Sequence, residues 1–589
     1  MRQRRKLAAT ATAVALSMVV AACGNDSGSG GGSGSSGGGG SAEYNAASEG
    51  IVNKSDATGG TLKYVLSDAP DSMDPGDTYY AFNWNFTRLY ARPLLTFKPA
   101  PGKAGLELSP DLAESLGEVS ADGLTWTYKL KQGITYDDGT PVTSKDVKYA
   151  IARSNYTAEL VNGPKYFAQY LDAGNYAGPY KDKNLDDFTG IQTPDDSTIV
   201  FKLKAPFSEF DFLVANPQSA PVPQAKDKGL QYQAAVASTG PYKMESHEVG
   251  KSLVLVKNDK WDPKTDENRK QLVDRIEVQF KVDANDIDQR LMNGQADVDL
   301  GGTGVQAQAR ATLLQDPNQK KNVDNPQTGF LRYAMLSTQV PPFDNADCRK
   351  AVLYAADHEA IQAAYGGSAG GDIATTALPP SVVGYEKADE YGFLQDKNGN
   401  PDKAKQALQA CGKPGGFSTK IAVRGDRPKE VAAAEALQQS LSKVGIKTSI
   451  QQYPSGDWSA QFAGNPQFVH ANGLGIQIAG WGADWPSGFG FLSQLVDGRA
   501  IKANGGNYNQ MELNDPEVNA LLDKGIQTKD ETERNATWTQ VDQKVMASGA
   551  LLPFVYEKTI LYRPENLTNV FVNPSYGMYD YSQLGTTKK

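Results

Sequence analysis

The chain has 589 residues, a net charge of −9 and 27 tyrosines in an otherwise ordinary composition. At about 150 residues per domain this length spans roughly two to four domains, more than one core can hold. Removing the four basic residues at the start (Arg2, Arg4, Arg5 and Lys6) takes −9 to −13, and so acidic a balance excludes nucleic acid as a partner, because phosphates demand a basic face.

The basic run Arg2 to Lys6 precedes an apolar stretch, Leu7 to Ala22. Its sixteen residues fall short of the about 20 that a membrane span needs. Val20-Ala21-Ala22-Cys23 resembles the lipobox of bacterial lipoproteins, with Val where Leu is commoner. The resemblance implies a signal peptide over residues 1–22, cleavage before Cys23 and a lipid thioether on the Cys23 sulfur that anchors the chain to a membrane. Residues 23–58 then form the lipidated Cys and a Gly/Ser-rich tether, whose nearly pure Gly/Ser part (Gly24 to Ser41) spans roughly 20 Å as a random coil. Gly34-Ser35-Ser36-Gly37-Gly38 matches a nucleophile-elbow pattern only formally, since no strand precedes it and no helix follows.

Ordered structure is expected from Gly59-Gly60, with a strand over Thr61 to Leu66 and an aromatic run from Tyr79 to Tyr90. Leu124, Trp126, Tyr128 and Leu130 alternate with Thr125, Thr127 and Lys129, which predicts a strand with one buried face. Thr143 with Asp146 three residues on reads as a capping box that starts a helix. Ile199, Phe201 and Leu203 predict another strand. The adjacent acids Asp137-Asp138 lie in a turn and point apart, unlike a glycosidic acid pair. Gly250-Lys251-Ser252 lacks the first glycine of a P-loop, and His358-Glu359 lacks the second histidine of a zincin, so no metal site is expected.

Three segments together carry a resemblance: Asp111 to Ser115, Asp122 to Ile134, and Asp137 to Val147. They are similar to the signature of family-5 extracellular solute-binding proteins, the peptide- and nickel-binding subunits of ABC importers. Ser238-Thr239-Gly240-Pro241-Tyr242, Leu291 to Val298, and Pro341 to Asp357 continue it in order, so that it covers about residues 60 to 585. It implies an α/β, two-lobed, hinge-closing fold of the periplasmic-binding-protein type (type II, the large peptide-binding class with an extra subdomain). Lobe I takes 59–330 with a subdomain at about 106–235, lobe II takes 331–556, and 557–589 returns to lobe I. The implied protein is a monomer and not an enzyme, with no cofactor, and it works with permease transmembrane subunits and cytoplasmic ATPase subunits at the extracytoplasmic face of a bacterial membrane.

In the second half, Lys429 to Val444 predicts a helix ended by Gly445, followed by a strand from Ile446 to Tyr453; this unit suggests mostly parallel pairing. Cys348 and Cys411 form an even pair, open to a disulfide or to two buried thiols.

The stretch Gly480-Trp481-Gly482-Ala483-Asp484-Trp485-Pro486 sets one carboxylate between two indoles. It fits a cationic ligand, or else a packed turn whose Asp caps a helix. Its W-x-x-D pattern resembles the family loop whose Asp pairs with a peptide's α-ammonium. The resemblance makes Asp484 the ammonium partner and Gly480, Trp481 and Gly482 the docking edge, with peptide as the ligand. A nickel chelate, oligosaccharide, haem or opine is the alternative within the same fold. Trp485 departs from the family pattern and reads as either pocket wall or core, while Tyr79, Tyr80 and Trp84 are candidates for the opposing face.

Overall fold

The computed structural model describes residues 44–589. The signal segment, Cys23 and most of the tether lie outside the described residues. Three sheets carry the chain, each built where period-two alternation puts apolar side chains on a face that helices cover.

The first has the order Val298–Asp299, Thr61–Val65, Arg275–Gln279, Ser252–Lys257, Tyr242–Glu248. Leu62, Tyr64, Leu253, Leu255, Ile276 and Val278 bury one face of it against Phe86, Tyr90 and Tyr581. The second, four-stranded sheet holds Thr125–Lys129 between Glu118–Val119 and Thr198–Lys202. Trp126, Tyr128, Ile199 and Phe201 are its core, packed on Ile151 of the helix Ser144–Tyr156 and on Phe210. That helix starts where the sequence places it: the Asp146 carboxylate accepts from the Thr143 backbone N–H at 2.8 Å and from its hydroxyl at 2.9 Å. The Asp137-Asp138 turn is structural as well, since Asp138 pairs with Lys226 while Asp137 accepts from the Ser238 N–H.

The third sheet has the order Gly371–Ile373, Leu551–Lys558, Gln327–Leu336, Ile476–Gly482, Ser418–Arg424, Lys447–Tyr453. Helix Pro428–Ser442 packs Leu437 and Leu441 onto it, and Gly445 (φ 88°) makes the turn into the strand Lys447–Tyr453. The expected mostly parallel pairing does not hold. Ser418–Arg424 is parallel to both of its neighbours, but the three remaining pairs are antiparallel. The reason is topological: the chain enters this sheet along Gln327–Leu336 and leaves along Leu551–Lys558, and two adjacent strands that share one end must run in opposite directions. Arg332 and Glu557 tie this entrance to this exit with three N–H···O contacts of 2.8 to 3.0 Å. In the first sheet the tight turn at Gly250 likewise forces an antiparallel hairpin.

Order also begins earlier than Gly59. A short helix, Ala46–Glu49, buries Ala47, whose N–H donates to Asp324, and Val52 pairs with Val570. The stretch 44–58, read as tether, is therefore docked on the first sheet's body by two small apolar residues and by hydrogen bonds that use the side chains of Asn45, Asn53, Asp324 and Asn569. Cys348 and Cys411, on the helix Ala346–Ala355 and at the end of the helix Pro401–Ala410, are joined as a disulfide with Cα atoms 5.4 Å apart.

Candidate functional site

The site grows out of the strand Ile476–Gly482. Along one edge it pairs with Gln327–Leu336 through its whole length, with Arg332 opposite Gly480 and Phe330 opposite Gly482. Along the other edge it meets Ser418–Arg424 only at Ile476 and Gln477. From Ile478 to Gly482 that second edge has no strand beside it among the described residues, which leaves main-chain groups available for pairing. The glycines are required by the neighbouring strand: a Cβ at Gly480 would lie 2.5 Å from Arg332 Nη1, and one at Gly482 would lie 2.8 Å from the Phe330 ring.

Beyond Gly482 the chain turns through Ala483 to Pro486 and enters the helix Gly488–Val496. The N-cap of that helix is Ser487, whose hydroxyl accepts from the Gly490 N–H at 3.0 Å. Asp484 is thus free of capping duty. Its carboxylate opens partly onto a cavity and is otherwise surrounded by protein; it accepts a hydrogen bond from the Tyr79 hydroxyl, which lies 3.0 Å from the Tyr166 hydroxyl. Burial pushes the Asp484 carboxyl up to about 6, against the two tyrosine hydroxyls, which favour the ionised form.

The cavity measures about 360 Å³ and is walled from both sides. Tyr79, Trp84, Phe97 and Tyr576 come from the body of the first sheet. Phe330, Ser381, Val382 and the run Gly480 to Pro486 come from the third. The site residues named from the sequence therefore meet: Asp484, Trp481, Gly480, Gly482, Trp485, Tyr79 and Trp84 all line this space. Tyr80 does not join them; it is half exposed and stacks on Phe82 at 5.3 Å. Trp481 tilts over Tyr508 at 5.1 Å. Trp485 touches the cavity but is mostly core: it is 4% exposed, sits edge-on to Tyr166 and Phe207, and donates from Nε1 to Glu209 at 2.7 Å.

Sequence reasoning missed Glu209. Its buried carboxylate, next to the four-stranded sheet's core, accepts from Trp485 Nε1, from the Ser487 hydroxyl and, at 3.1 Å, from Trp538 Nε1, with Arg534 Nε at 3.9 Å. One acid thus gathers the loop after Gly482 and the helix Glu531–Ser548 from the opposite side of the cavity. A lone Glu before Phe210 carries no local signal of this role.

The raised Asp484 carboxyl has a measurable consequence. A ligand ammonium binds the ionised form, so affinity should be greatest near pH 7, fall by up to tenfold per unit as pH drops through about 6, and begin to decline near pH 8 as the peptide's own amine loses its proton. Calorimetric titrations from pH 4.5 to 8 check this, and a flat profile would contradict it.

A cavity held between two α/β bodies, walled by aromatic rings and one carboxylate, is the site of a protein that encloses a solute. The family described as bacterial extracellular solute-binding proteins, family 5, matches residues 107–503, and this chain belongs to it. It is accordingly the extracytoplasmic solute-binding component of an ABC transporter and not an enzyme, with the periplasmic-binding-protein fold, and its class implies permease partners. The glutathione-binding protein GsiB of Escherichia coli (strain K12) is 27% identical over 489 residues, covering 81% of this chain and 86% of that protein. Among solved structures, clavulanic acid biosynthesis oligopeptide binding protein 2 matches with a TM-score of 0.89 and 41% identity, over 93% of this chain and 99% of that one. The periplasmic binding protein DppA from Helicobacter pylori, in complex with the peptide STSA, shares the fold at a TM-score of 0.64 and 22% identity, over 89% of this chain and 98% of that one.

Proposed function

We propose that the chain is a lipid-anchored receptor that captures short peptides between its two lobes and hands them to a membrane permease. The observation that carries this reading is the juxtaposition of a half-buried carboxylate, Asp484, that opens onto the cavity with the strand edge Ile478 to Gly482, unpaired among the described residues. A strand edge pairs with peptide main chain whatever the side chains, and a single buried acid sets the register by holding the α-ammonium. The likeness to an oligopeptide binding protein at 41% identity and to glutathione-binding proteins, glutathione being itself a peptide, supports the same class of ligand. Cys23, bearing the lipid, and the tether after it would keep the receptor at the outer face of the membrane, near its permease.

Native mass spectrometry of the purified protein tests this reading. Peptides retained from the host should appear as mass increments equal to sums of amino-acid residues plus water, lost on denaturation. Increments matching a sugar, a metal chelate or an opine would overturn it, as would failure of an added peptide pool to bind.

A further inference from the structure

The charge inventory of the cavity sharpens the peptide reading, on which this inference rests. Among the described residues that line it, Asp484 is the one carboxylate, and none is Lys, Arg or His. Two guanidinium groups back the wall, and both are committed elsewhere. Arg332, across from Gly480, is held by Glu557, and Arg88, 4.9 Å over the Tyr576 ring, is held by Asp580 at 3.2 Å. The donors the wall offers are neutral: they are main-chain N–H groups of the edge Ile478 to Gly482, which no strand covers among the described residues.

Each of these facts bears on the ligand. Main-chain donors on an uncovered strand edge favour an occupant that brings acceptors to them. A ligand carboxylate inside this wall would lose its water, find no cation and face the charge of Asp484, whereas a neutral carbonyl satisfies the same donors without that repulsion. The volume, about 360 Å³, is at the small end for ligand sites, so both ends of a short peptide fall within the walls.

We propose that the cavity selects short peptides with a free N-terminal ammonium and a C-terminus that carries no charge, with the ammonium on Asp484 and carbonyl oxygens on the main-chain N–H groups of the Ile478 to Gly482 edge. Peptide amides meet this description. Glutathione, whose two carboxylates outnumber its one ammonium, does not, and this chain parts here from its glutathione-binding relatives.

The test is calorimetry at pH 7.5 on the full mature protein with four probes: a pool of dipeptides without Asp or Glu, the same pool amidated at the C-terminus, the amidated pool acetylated at the N-terminus, and glutathione. The amidated pool should bind at least tenfold more tightly than either the free-acid pool or glutathione, and acetylation should remove at least tenfold. A free-acid pool within threefold of the amides, or tighter than them, overturns the selectivity, as does glutathione binding within threefold. Binding by none of the four probes, or binding unaffected by acetylation, overturns the peptide reading itself.

Discussion

Asp484→Ala should weaken peptide binding by at least tenfold, with the loss concentrated in ligands that carry a free amine. The ammonium–carboxylate pair is formed in a largely dehydrated wall, and removing one partner of such a pair costs about 2–5 kcal/mol, of which 1.4 kcal/mol already makes tenfold. The stability of the empty protein separates this loss from damage to the fold. Burial raises the folded-state carboxyl above its unfolded value, so the acid helps stability at low pH and ceases to help as pH rises through about 6. At pH 7 its removal should therefore leave Tm unchanged or raise it. A variant that kept its affinity by calorimetry would remove Asp484 from the site, and one that lost both affinity and Tm would make it a structural residue.

The second large effect is expected at Glu209, which does not line the cavity. Glu209→Ala leaves two indole N–H groups and a hydroxyl without their acceptor in a buried space and takes the countercharge from Arg534, which keeps its bonds to the Thr528 and Lys529 carbonyls. Breaking a buried charged pair in this way costs about 3–5 kcal/mol. The donors belong to one side of the cavity and the acid to the other, so the cost falls on the closed arrangement. Peptide affinity should drop at least tenfold, and small-angle scattering with saturating peptide should show a larger radius of gyration than the unaltered protein gives. The pH profile set by Asp484 should persist. Glu209→Gln keeps an acceptor and should lose much less. Unchanged affinity in the Ala variant would show that closure does not depend on this cluster.

Much of the site was legible because its residues stand close together in the chain. Gly480 to Leu492 reads as a loop through its glycines, proline and aromatic rings, but only Ala483 to Ser487 is one: Gly480 to Gly482 finish a strand and Gly488 to Leu492 start a helix, while the acid between them faces the cavity. Of the three aromatic candidates for the opposing face, Tyr79 and Trp84 line the cavity and Tyr80 does not. What stayed hidden depends on contacts between distant positions. Glu209 meets Trp485 and Trp538 across 276 and 329 residues, a relation no periodicity encodes. The mixed strand directions of the third sheet follow from where the chain enters and leaves it, which a helix–glycine–strand unit does not record. The docking of residues 44–58 rests on two small apolar side chains and on scattered hydrogen bonds to residues hundreds of positions away, such as Asp324 and Asn569, which make no periodic pattern.

The Tyr79 hydroxyl takes one acceptor site on one oxygen of Asp484 and leaves the rest of the carboxylate to accept more. Ligand capture is then an addition and not an exchange: the phenol fixes the direction in which the acid faces, and a ligand ammonium completes a set of donors that the tyrosine begins.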